Sequence, residues 1–161
     1  MEKEKLLVSS CLVGINCKYN GKNNYTKEIE KLKDYYDFIL ICPESSSGMK
    51  APRHPSERRG DKVVSELNED VTSFFIKGAE LSLKIAKQHN VKYALLKESS
   101  PSCGVHLIYD GTFSHTKISG IGTTAEALKK EGIKLFSEEE ISKLIELGEA
   151  KQSSNLHKKN S

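Results

Sequence analysis

Three short stretches, Leu6 to Ser9, Phe38 to Ile41 and Tyr93 to Leu96, are continuously apolar, and each runs straight into a loop that carries a cysteine. A strand with one wet face alternates apolar and polar residues. An unbroken apolar run means that both faces are covered, as in a parallel sheet between layers of helix. The first run leads to Ser10-Cys11, the second to Cys42-Pro43-Glu44 and the third to Ser99-Ser100-Pro101-Ser102-Cys103. A fourth run, Ile133 to Phe136, precedes Ser137-Glu138-Glu139-Glu140, which has the pattern of a capping box at a helix start.

Helical spacing fills the intervals. A helix is predicted from near Asp70 to His89-Asn90, with Val71, Phe74, Phe75, Ala79, Leu83 and Ala86 recurring every three or four residues on the face toward the sheet. Others are expected over Thr26 to Lys33, over Ala125 to Lys130, and around Ile141, Leu144 and Ile145. Strands alternating with helices specify an α/β fold: a single Rossmann-like domain over residues 1–150, its mostly parallel sheet flanked by helices and joined by right-handed crossovers. Ser45 to Asp61, rich in Ser, Gly, Pro and Arg, is too long for an ordinary connection and is expected to be a functional loop. Residues 151–161 read as a disordered polar tail.

A chain of 161 residues with an apolar share of 37% supports one core. The 25 basic and 22 acidic side chains are interleaved, and a net charge of +3 gives no reason to expect a nucleic acid polymer as partner. No apolar run approaches the roughly 18 residues of a membrane span, and the start lacks the apolar core of a signal peptide. The expected location is the cytoplasm, where the four cysteines serve as thiols, metal ligands or catalysts more readily than as disulfides.

Ligands of open parallel sheets bind beyond the carboxyl ends of the strands, so Cys11, Cys42 and Cys103 can converge although distant in sequence. Their spacing matches neither a zinc ribbon nor a ferredoxin run. Thiolates suit zinc or an iron–sulfur cluster; three of them would leave one cluster iron open, and Cys17, in a polar turn, ranks below the others as a fourth ligand. Glu44, two residues after Cys42, is placed to move a proton, and a hydroxyl of Ser100 or Ser102 to bind substrate. His54, His89, His106, His115 and His157 show no spacing that singles out a base for a serine-hydrolase triad.

Several of these segments are familiar in their order. Ser10-Cys11-Leu12-Val13-Gly14, Cys17-Lys18-Tyr19-Asn20-Gly21, Cys42-Pro43-Glu44, Pro52-Arg53 with Pro55 and Glu57, and Asp70-Val71-Thr72 come first. Gly78-Ala79-Glu80, Leu96-Lys97-Glu98-Ser99-Ser100-Pro101-Ser102-Cys103-Gly104, Ile108 to Phe113, and Gly120-Ile121-Gly122-Thr123-Thr124-Ala125 follow. From about Val8 to Ser137 the chain resembles a bacterial family known as DUF523, which includes the thiouracil desulfurases. The resemblance implies a [4Fe-4S] cluster held by Cys11, Cys42 and Cys103, with one iron left for the sulfur of a thiolated nucleobase such as 2-thiouracil. It implies Glu44 as the catalytic acid and Ser100 as the catalytic or substrate-positioning hydroxyl. Ser45-Ser46-Ser47-Gly48-Met49-Lys50-Ala51 departs from the family's more glycine-rich approach to Pro52-Arg53 and bears on substrate identity. The expected partner is a small thiolated molecule, and the expected state is a monomer or weak homodimer. The alternatives are a non-catalytic iron–sulfur sulfide carrier or redox sensor, and a structural zinc protein.

Overall fold

The computed structural model describes residues 3–160. The chain begins with β1 (Glu4–Ser9), passes a 3-10 turn at Ser10–Val13 and a 3-10 helix at Lys27–Asp34, and enters β2 (Tyr36–Ile41). Then come α1 (Pro43–Ser46), the hairpin β3 (Ser56–Arg59) and β4 (Lys62–Ser65), α2 (Thr72–Gln88) and β5 (Tyr93–Leu96). A second hairpin, β6 (Leu107–Tyr109) and β7 (Lys117–Ser119), leads to α3 (Thr123–Lys130), β8 (Lys134–Ser137) and, after a 3-10 turn, α4 (Ile141–Asn160). The central sheet has the order β2-β1-β5-β8 and is parallel throughout. Among the described residues, no helix is long and apolar enough to cross a membrane.

The apolar run of β1 divides by side-chain parity. Leu6 and Val8 pack with Ile29, Leu32, Tyr36 and Leu144 on one face, while Leu7 packs with Ala86, Ala94 and Leu128 on the other. Successive strand side chains point to opposite faces, so a strand between two apolar layers must be apolar at every position. Ser137 caps the 3-10 turn before α4 as its sequence pattern predicts, accepting from the Glu139 amide at 3.2 Å.

Four expectations differ from the structure in detail. The helix expected at Thr26 to Lys33 is a 3-10 helix, in which buried Ile29 and Leu32, three residues apart, fall on one side. The loop expected over Ser45 to Asp61 is framed by α1 and β3, and Gly60-Asp61 turns β3 into β4, with Gly60 at φ 58°. Phe74, assigned to the inner face of α2, is 41% exposed, while Phe75 is 1% exposed. The polar tail expected to be disordered is helical to Asn160, where α4 extends a helix already nucleated. Lys151 pairs there with Glu4, and the Gln152 amide lies 3.4 Å from the Asp34 carbonyl oxygen.

Phe75→Ala should therefore cost about 3–5 kcal/mol and Phe74→Ala less than about 1 kcal/mol. Urea unfolding of the two variants checks this; equal losses would contradict the inner face described here.

Candidate active site

The first three strands of the sheet, β2, β1 and β5, end side by side, with Ser9 opposite Ile41 and Val8 opposite Leu95. Each continues into one arm of the site. Beyond β1, the 3-10 turn carries Cys11 and closes on Gly14 at φ 97°, a backbone region that favours glycine. Beyond β2, Cys42 precedes α1, whose first turn holds Glu44. Gly78 lets α1 lie close against α2, because a Cβ there would collide with the Pro43 carbonyl.

Beyond β5 the chain has no regular structure, and buried groups shape it. Ser99 takes a left-handed φ of 65°. The Glu98 carboxylate accepts from the amides of Ser99, Val105, His106 and Leu107 at 2.8–3.3 Å, which bends residues 99–107 into a closed loop. The first amides of α3 bond the same loop from below: Thr123 to the Pro101 carbonyl at 3.0 Å and Thr124 to that of Ser102 at 2.9 Å. Cys103 is thereby carried to the cavity edge.

Cys11, Cys17, Cys42 and Cys103 all line one cavity of about 430 Å³, together with Glu44, Ser100 and Ser102. Cys17, placed by its sequence in a polar turn, is buried against two of the other thiols. Among the described residues, no three Cys, His, Asp or Glu side chains gather as a single metal ion requires. The thiols line the wall of the cavity, and soft sulfur donors suit an iron–sulfur cluster.

The four thiols do not hold their protons equally. A hydrogen bond from Cys17, opposed by burial and aided by Asn24, whose amide lies 3.3 Å from Cys11 Sγ, lowers the Cys11 pKa. The Cys17 hydrogen bond likewise lowers Cys42, to about 6, with help from Ser45, whose hydroxyl is 3.3 Å from Cys42 Sγ. Cys17 is raised in return, because its one proton is the one its two neighbours share. Burial pushes Cys103 up to about 12.

A family model described as 2-thiouracil desulfurase matches residues 6–140. The chain belongs to the 2-thiouracil desulfurase family. An uncharacterised Bacillus subtilis protein, YbbK, is 42% identical over 150 residues, covering 87% of this chain and 99% of its own. The solved structure of TudS, a [4Fe-4S]-dependent thiouracil desulfidase, superposes with a TM-score of 0.83 at 39% identity, covering 89% of this chain and 96% of that one.

In this desulfurase-family chain, the catalytic candidates form one connected group. Glu44 Oε2 accepts from the Ser102 hydroxyl at 3.0 Å, and Ser100 Oγ lies 3.0 Å from Ser102 Oγ. Ser100 Oγ also accepts the amides of Ser102 at 3.2 Å and Cys103 at 3.1 Å. Each hydroxyl has one proton, and that of Ser102 has its shorter acceptor in Glu44 Oε2, with Cys103 Sγ farther off at 3.7 Å. The chain of donation therefore runs from Ser100 to Ser102 to Glu44. Ser100 is half-buried at the cavity wall and Ser102 is 1% exposed, so the first faces the cavity while the second passes the bond inward.

Arg53 and Asn24 were not among the candidates drawn from residue chemistry, because their contacts with Glu44 and Cys11 cross 9 and 13 residues of irregular chain. The serines of the divergent segment also have structural work. Ser47 donates to the Glu44 carbonyl at 2.7 Å and Ser46 to that of Pro43 at 3.2 Å, satisfying the end of α1.

In the cluster-free protein, Cys42 should react with iodoacetamide ahead of Cys103. With its pKa at about 6, Cys42 is mostly thiolate above that pH, and its labelling rate should drop about tenfold between about pH 7 and pH 5. Cys103, at about 12, should resist until the chain unfolds. Peptide mass spectrometry reads both rates; equal labelling of the two at neutral pH would contradict this division.

Proposed function

We propose that this chain removes sulfur from a thiolated nucleobase such as 2-thiouracil, using a [4Fe-4S] cluster anchored by Cys11, Cys42 and Cys103. The observation that carries the reading is the meeting of three thiols, from three adjacent strand ends, with a hydroxyl–hydroxyl–carboxylate chain in one cavity. The donor set fits the group: soft sulfur ligands select iron–sulfur clusters, and the cavity has the size of a small-molecule site. When bound, the cluster would supply an iron without a protein ligand, a soft Lewis acid matched to thiocarbonyl sulfur. Cys17 stays a thiol in this reading, its one proton shared between the sulfurs of Cys11 and Cys42.

The overall change is hydrolytic and needs no oxidant: a thiocarbonyl and water become a carbonyl and hydrogen sulfide. The protein's part is to orient the ring and move protons. Glu44 Oε2 is placed to take a proton through Ser102 as water adds to carbon, and the same carboxyl can return it to the departing side. Ser100, at the exposed end of the chain, is the hydroxyl that meets substrate.

Anaerobic reconstitution with iron and sulfide should give a brown protein that converts 2-thiouracil to uracil and sulfide. Cys11→Ala, Cys42→Ala and Cys103→Ala should each abolish the cluster absorption, and Cys17→Ala should retain it. Glu44→Gln should keep iron, sulfide and substrate binding while turnover drops about 10²-fold or more. A protein that loads a full cluster but leaves 2-thiouracil intact would rule out the activity. A cluster that survives loss of Cys42 but not of Cys17 would overturn the ligand assignment.

A further inference from the structure

Arg53 lines the cavity with Lys18, Lys97 and Lys117, and two of its side-chain nitrogens bond a single carboxylate oxygen. Its Nε lies 3.3 Å and its Nη2 3.2 Å from Glu44 Oε1. Nη2 also donates to the Cys17 carbonyl at 3.0 Å, and the Arg53 amide donates to the Tyr19 carbonyl at 2.6 Å. Side-chain exposures of 10% for Arg53 and 16% for Glu44 mark a largely desolvated pair, unlike the exposed lysine–glutamate pairs elsewhere on the surface.

We propose that Arg53 is a positioning residue: it grips Glu44 by Oε1, so that Oε2 alone is presented to the Ser102–Ser100 hydroxyl chain. The inference rests on Glu44 as the proton-transfer group. A glutamate has three side-chain torsions, and the helical backbone of α1 restricts only the first of them. With Oε1 held from the side of residues 17 and 53, and Oε2 met by Ser102 from the β5 loop, the carboxylate is fixed between two arms of the cavity. A guanidinium suits this task because its donors are locked in one plane. It can span a carboxylate oxygen and a backbone carbonyl at once, whereas a lysine ammonium is a rotating point on a flexible stem. The same carbonyl belongs to Cys17, so the segment lying against Cys11 and Cys42 is tied to the orientation of Glu44.

The competing account is that Arg53 only staples the segment after α1 to residues 17–19. The two separate in a double-mutant cycle on the reconstituted holoenzyme with 2-thiouracil, comparing Arg53→Met, Arg53→Lys, Glu44→Gln and Glu44→Gln/Arg53→Met. Iron and sulfide content, substrate affinity, KM and kcat are read for each. Arg53→Met should hold a full cluster and keep KM within about twofold while kcat drops about tenfold or more, with part of the loss recovered in Arg53→Lys. In the Glu44→Gln background the Met substitution should add less than about a twofold further loss, because a residue acting through Glu44 has nothing left to position. A loss that multiplies in the double variant overturns the proposal, as does loss of iron from both Arg53 variants or wild-type kcat in Arg53→Met. If Glu44→Gln itself turns over at the wild-type rate, Glu44 leaves the reaction and the role of Arg53 is refuted with it. A slow Glu44→Gln with a multiplicative cycle refutes Arg53 alone.

Discussion

β1 is paired in parallel on both sides, with β2 through six residue pairs and with β5 through three. Parallel pairing sends all three chains out at the same edge, and neighbouring strands lie about 4.8 Å apart, so the loops after β2 and β5 start within about 10 Å of each other. Cys42 lies one residue beyond its strand, Cys11 two residues beyond, and Cys103 at the far side of a loop that returns to the same edge. In an antiparallel sheet the loop after a neighbouring strand would open at the opposite end. The complete burial of Leu6, Leu7 and Val8 on both faces holds this arrangement, and the convergence of thiols depends on it.

Three carboxylates then give the irregular loops a shape. Burial acts against the ionised form of Glu98, but the amides of His106, Leu107, Val105 and Ser99 outweigh it and hold the carboxyl below its usual range. Glu57 takes the amides of Gly111 at 3.0 Å and Phe113 at 3.1 Å, which fixes the β6–β7 hairpin across the cavity from α1. Both are absorbed by backbone donors at short range, as buried charge requires. Glu44 differs: its partners are side chains, Arg53 and Ser102, and one of them is a hydroxyl that can exchange its proton. The same type of residue is thus fixed by amides at Glu98 and Glu57 and meets an exchangeable hydroxyl proton at Glu44, the setting that the proposed proton transfer uses.

The thiols divide along similar lines. Cys11 and Cys42 are biased toward thiolate by hydrogen bonds, and Cys103 is held protonated by burial. In the proposed ligand set, loading iron displaces the protons that remain, which would link occupancy to pH through Cys103 more than through Cys42. The Cys17 thiol lies against the two more acidic sulfurs with one proton to share between them, and if those sulfurs hold the cluster as proposed, such a bond is one of the levers by which a protein tunes an iron–sulfur centre.

The apolar runs, the capping box at Ser137 and the helical period of α2 are local signals, and they are enough to specify a parallel α/β sheet with cysteines at the ends of its strands. Side-chain parity, propensity and capping act within a few residues of chain. Phe74 and Phe75 mark the limit of that information: both fit an apolar helical face, and only packing against the sheet selects Phe75. The serine pair marks it again. The sequence sets Ser100 and Ser102 on either side of Pro101 just before Cys103, but the left-handed turn at Ser99 and the amides gathered by Glu98 point Ser102 at Glu44 and leave Ser100 at the cavity wall. Cys17, Asn24 and Arg53 join the site through loops whose course is set by contacts with other parts of the chain, across separations of 13 residues from Asn24 to Cys11 and 36 from Arg53 to Cys17. The sequence by itself determined the sheet and the thiols at its edge, because those depend on near-neighbour periodicity. Tertiary structure decided which hydroxyl, amide and guanidinium complete the site, because hydrogen-bond geometry exists only once distant loops are folded together.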